Sequence, residues 1–462
     1  MNKVKLLVIS LTLVTSLSAQ VRNADFKIHD RGELWETMKD NGTIGAPNPT
    51  NRLENYPSLD WPGGPNTMNK DDQRSYSAGS GMWIGGKRND GSIFFTENGP
   101  FNFVDNGTFE PIVRTDNFLE SPSYNPAEAE QIITAKWKTS ENISVERNSR
   151  VWSFPLLNNF VICEYIITNQ NTTPVTDVYA GFPNLIRPSY QDFVVHNGWG
   201  DDFNRTDEFV AYDSTRSMMY SWDDTPNFSI PNDVGNFWEA AGELRTTGYA
   251  GLSFLYADPA SDSRPQPSNV FWAQLLNNES FFTIQSSNAQ SLYNILNGTD
   301  KTLQANAGDH LTPFMLLSAG PYSLAPGASI KIVTAEAVNG IPLEKALLGL
   351  SSQALLPFGL DSLNKSIDRA KNLYLNNYQV SAVPPPSPEI EIYSLPSNQT
   401  IAATWSPVED NWVNPISGKS NFREYKVYRS DRSFIGPFTM IRRIDPKRST
   451  DRTRFYDAEN NK

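Results

Sequence analysis

A single cysteine, Cys163, stands in a chain of 462 residues. One thiol excludes an internal disulfide framework, so the fold must rest on burial rather than on cross-links. Within the apolar run 160–167 it reads as a small buried hydrophobe, because a thiol nucleophile needs exposure and a neighbouring base. Histidine is almost as scarce: His29, His196 and His310 lie far apart and show no metal-ligand spacing. There is no Gly-x-Ser-x-Gly elbow, no phosphate loop and no dinucleotide fingerprint. Beyond the N-terminus no stretch approaches the roughly 18 consecutive apolar residues of a membrane helix. Basic surplus is missing too, with a net charge of -12, and an acidic surface disfavours nucleic acid and anionic lipid as partners.

What is present begins with an export signal. Lys3 and Lys5 precede an apolar run from Leu6 to Leu17 and the small residues Ser16, Ser18 and Ala19, the three-part layout of a secretory signal peptide over residues 1–20. Cleavage after Ser18 or after Ala19 both remain open. Residues 21–341 then read as a large β-sandwich body. Short β-branched and aromatic runs (82–84, 92–96, 131–139, 143–154, 160–168, 175–182, 209–212, 217–222, 249–256, 281–285, 314–318 and 329–338) alternate with Gly, Pro and Asn turns. Asp90-Gly91 marks a hairpin, and the polar segment 169–174 suits a link between neighbouring antiparallel strands. From Pro342 to 380 the period changes: Leu360, Leu363, Ile367, Ala370 and Leu373 recur at helical spacing, with a break expected at Pro357-Phe358-Gly359.

Residues 381–388 form a Pro-rich linker, stiff because successive prolines fix φ and remove donors. Charge divides at the same joint. Residues 386–462 hold 12 Lys+Arg and 10 Asp+Glu, which leaves 27 and 41 for the rest.

After the linker, Ile401, Ala403 and Trp405 alternate along one strand and Tyr425, Val427 and Arg429 along another, followed by Gly436-Pro437-Phe438 and Phe455-Tyr456-Asp457. Residues 389–462 thereby resemble a fibronectin type III domain, an immunoglobulin-like sandwich. That resemblance implies two further strands after Asp457, supplied by sequence beyond Lys462 or by another chain. The body is similar to an uncharacterised type of large exported bacterial protein in 61–64, 165–181 and 320–329. This implies an extracellular or cell-surface location and no reaction.

The densest polar cluster, 199–208, supplies one metal candidate. Asp201, Asp202, Asn204 and Asp207 offer the oxygen ligands Ca²⁺ takes, although Asp207 stands where an EF-hand loop needs Gly. An irregular calcium loop and a solvated acidic loop both fit. Trp199 and Trp222, with Tyr220 and Trp238 nearby, are candidate ligand-binding aromatics, competing with a core role. Glu164 and Glu336 interrupt apolar strands, for which outward-facing alternation is the simpler account. The sequence therefore predicts an exported binding or scaffolding protein for a glycan or protein ligand, with a carbohydrate-active body as the alternative.

Overall fold

The computed structural model describes residues 24–45, 57–61, 63, 75–100, 104–119, 121–186, 188, 208–223, 238–240, 243–245, 248–274, 288–309, 313–342, 345, 348, 350, 352–380, 385, 388, 390–395, 400–405, 412–414, 418–420, 422–430, 438–445 and 454–457. The chain is mainly β, and its body is a sandwich of two antiparallel sheets. A nine-stranded sheet combines β6 (Thr108–Phe109), β7 (Val113–Asp116), β8 (Gln131–Lys138), β9 (Ile143–Val151), β10 (Phe160–Asn169), β12 (Glu208–Asp213), β13 (Met218–Asp223), β16 (Gly248–Ala257) and β19 (Ser329–Gly340). Its order is β12-β13-β16-β19-β10-β9-β8-β6, with β7 also on β8. The facing six-stranded sheet has the order β17 (Asn269–Gln274), β18 (Pro313–Leu324), β11 (Val175–Ile186), β4 (Met82–Lys87), β5 (Ile93–Asn98), with β3 (Ser77–Ser80) also on β11.

Strict alternation decides what each sheet buries. On β10, Val161, Cys163, Tyr165 and Ile167 point between the sheets, where they meet Val178, Ala180 and Phe182 of β11. Phe160 and Ile162 point the other way, onto helix α2 (Ser352–Leu375), which contributes Leu363, Ile367, Ala370 and Leu373. The smaller sheet is covered on its outer face by helix α1 (Ala289–Leu296). Leu292, Tyr293, Ile295 and Leu296 of α1 pack on Trp83, Tyr179, Phe271 and Phe314. The body therefore has four layers: helix, sheet, sheet, helix. No helix among the described residues is long and apolar enough to cross a membrane.

A strap made of β1 (Phe26–His29), β2 (Glu36–Lys39) and the residues to Gly45 lies opposite β8 and β9. Leu34, Met38 and Ile44 enter the central core. Gly42 (φ +87) is required where the strap crosses Trp137, since a Cβ there would stand 2.9 Å from the indole.

Three expectations need correction. The helix runs unbroken through Pro357, which sits early in the helix and costs it one backbone donor. Gly359 marks a close packing point: a Cβ would come within 2.2 Å of the Tyr249 ring, and the Tyr249 hydroxyl donates to the Leu356 carbonyl at 3.1 Å. The segment 169–174 does not join paired strands, because β10 pairs with β9 and β19 whereas β11 pairs with β18, β4 and β3; it arches from one sheet to the other. Glu336 faces the inter-sheet core, while Glu164 faces outward as expected.

The remaining strands are the hairpin β14 (Trp238–Ala240) with β15 (Glu243–Arg245), and five in the C-terminal region. There β20 (Ile390–Leu395), β21 (Thr400–Trp405) and β24 (Arg454–Asp457) form one sheet, and β22 (Tyr425–Arg429) pairs with β23 (Thr439–Ile444). Trp405, Tyr425 and Ile444 make the small core between them, with the Trp405 and Tyr425 rings 5.5 Å apart.

Candidate functional site

The outer face of the nine-stranded sheet is only partly roofed by α2. Where Lys136, Lys138, Ser144, Glu146, Ile166 and Thr168 follow one another on β8, β9 and β10, no helix among the described residues covers them, and Thr108, Glu110 and Gln170 complete a groove of about 590 Å³. Each of these strand residues is outward because its neighbour is inward: Trp137 and Val145 are buried in the core, leaving the polar partners of the alternation to line the groove. Lys136 Nζ sits 2.9 Å from Glu146 Oε2, which raises the lysine's pKa, and the glutamate's is lowered by the Asn148 amide donating to it at 3.0 Å and by Lys136. Gln170 Nε2 donates to Ser144 Oγ at 3.1 Å. The surface presents amide, hydroxyl and charged groups in rows set by strand spacing, and its one aromatic lining residue, Trp137, is 3% exposed.

A second polar site is sealed inside the sandwich. Glu336 Oε1 accepts from Asn184 Nδ2 at 2.7 Å and from Ser80 Oγ at 3.2 Å, while its Oε2 is buried without a hydrogen-bond partner among the described residues. Glu36 of the strap accepts the Leu59 amide at 2.6 Å and the Thr37 amide at 3.3 Å. Burial pushes both carboxyls up, Glu336 to about 7, and Glu36 is raised further by the neighbouring Glu336. Arg147 lies in the same core but spends its guanidinium on the carbonyls of Lys39 (2.9 Å) and Gly42 (3.1 Å). Burial also pushes the Cys163 thiol up to about 12, which keeps it a protonated, inert packing group. The cavity beside Glu336, lined also by Ser80, Tyr165, Asn184 and Thr334, has a volume of about 10 Å³. That is room for about one water and not for a sugar ring.

The structure places the sequence candidates as follows. Trp199, Asp201, Asp202, Asn204 and Asp207 lie outside the described residues. Among the described residues no three His, Cys, Asp or Glu side chains converge as a metal site. Trp222 is half-buried on β13 and stacks with Phe209 (5.4 Å, 18°), Tyr220 (5.4 Å, 28°) and Tyr249 (6.1 Å, 8°), so its faces are engaged by a cross-strand ladder that joins the core under α2. Trp238 lies on β14. Outward Glu164 is satisfied by the Tyr378 hydroxyl (3.1 Å), with Arg150 at 3.8 Å and Lys331 at 4.0 Å. Sequence reasoning missed the groove and the role of Glu36. The alternation of Lys136 and Lys138 around Trp137 was the available signal for the groove. Nothing local marks Glu36, whose shortest hydrogen bond comes from the Leu59 amide, 23 residues away.

No protein-family profile and no curated protein matches the chain. A solved structure described as a polysaccharide lyase is similar at 10% sequence identity and a TM-score of 0.29, over 83% of this chain and 37% of the lyase chain.

Proposed function

We propose that this chain is an exported bacterial protein of the extracellular space or cell surface that binds an extended, polyhydroxylated ligand of the glycan class. In this reading the open strip of the large sheet is the binding surface, and a proline spacer separates it from a fibronectin type III-like module. The groove between Thr108 and Gln170 carries the reading. Its volume falls within the range of about 300–1,000 Å³ usual for ligand sites, and it offers hydrogen-bonding groups along several strands. Protein interfaces are anchored by exposed aromatic and arginine side chains, whereas this lining offers hydroxyl, amide, lysine and carboxylate groups, which favours a glycan over a protein ligand. The export signal supports the compartment, and the two small sheets around Trp405 and Tyr425 support the module.

The carbohydrate-active alternative needs two carboxyl groups facing one another across an accessible cleft. Glu336 is closed off beside a cavity of about 10 Å³, and in the open groove Glu146 is paired with Lys136 at 2.9 Å, which favours binding over turnover. A glycan array probed with the full chain tests this. Binding to at least one polymer that is lost in Lys138→Ala/Gln170→Ala is the expected result; retention of binding by that variant, or release of reducing ends from any bound polymer, would overturn it.

A further inference from the structure

Cross-strand register sorts the groove into two rows of side chains. In the first, Thr108 of β6 stands opposite Lys138 of β8, Lys138 opposite Ser144 of β9, and Ser144 opposite Thr168 of β10. In the second, Lys136 stands opposite Glu146 and Glu146 opposite Ile166, while Glu110 joins through its amide, which donates to the Lys136 carbonyl at 2.9 Å. Lys136 is already compensated, with Glu146 at 2.9 Å. Lys138 is not: its direct neighbours carry hydroxyls, and it makes no ion pair among the described residues. The acids in the loops beside it are held elsewhere. Asp105 accepts the Ser140 amide and hydroxyl at 2.6 Å each, and Glu141 holds Arg88 at 2.6 Å. Lys138 is also half-buried, whereas Lys136 and Glu110 are exposed. An ammonium that has given up part of its water without gaining a counter-ion is the least compensated charge in the lining. Beside it, Ser144 Oγ accepts from Gln170 at 3.1 Å, which leaves the Ser144 proton free to donate to a ligand.

We infer that the groove selects acidic glycans: Lys138, flanked by the hydroxyls of Thr108 and Ser144, is the subsite for a carboxylate or sulfate group carried on a sugar ring. This rests on the glycan-binding reading above and narrows it to a charged class. Directly opposite residues have Cβ atoms about 4.5–5.5 Å apart, so a cation with a hydroxyl on each side presents its donors within the span of one oxyanion. The ammonium supplies a charge-assisted hydrogen bond, roughly twice as strong as a neutral one, and the hydroxyl protons donate to the remaining oxygens. Uronate carboxylates and sulfate esters share this chemistry. The second row sets the orientation: Glu110 and Glu146 lie on either side of Lys136 and repel an anion, so the acidic groups belong on the Thr108 to Thr168 row and the sugar hydroxyls donate toward the carboxylates. The whole chain carries a net charge of -12, so general electrostatics works against a polyanion. A preference for one must therefore come from a local site.

Calorimetric titration of the full chain with matched polymers tests this: polygalacturonate against its methyl ester, and dextran sulfate against dextran. At least one acidic member is expected to bind about tenfold tighter than its neutral counterpart, and the pair that shows the preference separates a carboxylate from a sulfate. Lys138→Gln should abolish the preference and Lys138→Arg should keep it, with thermal unfolding of the same samples reporting that both variants are folded. Equal or tighter binding of the neutral members, lost in Lys138→Ala/Gln170→Ala, would overturn the acid selectivity and leave the groove as a site for neutral glycans. An acid preference retained in Lys138→Gln would also overturn it, by placing the anion elsewhere. Binding of no glycan, or binding indifferent to Lys138→Ala/Gln170→Ala, would overturn the glycan reading itself and the selectivity with it.

Discussion

The outer face of the large sheet is one continuous surface treated in two ways. Toward one end Phe160, Ile162, Val333, Ala335 and Ala337 are roofed by Leu363, Ile367, Ala370 and Leu373 of α2. Toward the other end β8, β9 and β10 present Lys136, Ser144, Glu146 and Thr168 to an open groove. Strand β10 belongs to both halves and keeps its inward face, Val161, Cys163, Tyr165 and Ile167, throughout; only its outward residues change. A sheet face is thus made into core or into recognition surface by every second residue, and the roofed half should carry stability while the open half carries binding.

The largest effect is expected from the roof. Ile367→Ala removes a side chain 1% exposed in the α2 interface, and such truncations cost about 2–5 kcal/mol; urea denaturation should show the unfolding free energy falling by that amount. Gly359→Ala tests the same contact from the opposite direction. Forcing a methyl into the Tyr249 ring overpacks the joint at a cost of about 1–3 kcal/mol, and an unchanged midpoint would mean that the helix leaves room for a methyl beside Tyr249.

A middle-sized effect belongs to His29, which lies beneath the strap and outside both halves. Burial pushes its pKa down to about 3, so its contribution to stability is fully present above pH 6.5 and is lost as the pH falls from 6.5 toward 3. Relative to His29→Gln, the wild type should therefore lose about 1.4 kcal/mol per pH unit below 6.5. Parallel stability profiles for the two proteins would show that the imidazole is accessible to solvent. The smallest effect is expected in the open half. Lys136→Ala breaks a pair whose side chains are 45% and 40% exposed, and exposed pairs contribute about 0–1 kcal/mol, so thermal unfolding should barely move.

Much of this architecture is legible in the sequence because alternation is a local signal. The strands from Gln131 to Asn169 and the helix around Leu363 and Ile367 follow from it directly. Helix α1 was missed although Asn288 caps it, accepting from the Ser291 amide at 2.9 Å, and Asn297-Gly298 closes it; at only eight residues, its period was too short to stand out. The arch at 169–174 was misread because a polar turn looks the same whether it returns within a sheet or crosses to the facing one. Glu336 was misplaced for a related reason. Its inward orientation depends on Asn184 and Ser80, which reach it from 152 and 256 residues away. For the groove, the alternation of Lys136 and Lys138 around Trp137 marks which residues point outward, but not that the distant helix leaves them uncovered.

The central claim is that the open half of the sheet binds ligand and the roofed half does not. The direct measurement is titration of the wild type and of Lys138→Ala/Gln170→Ala with the best glycan from the array, with unfolding followed on the same samples. The account predicts a loss of affinity of tenfold or more at unchanged stability. Equal affinity in both proteins would contradict it.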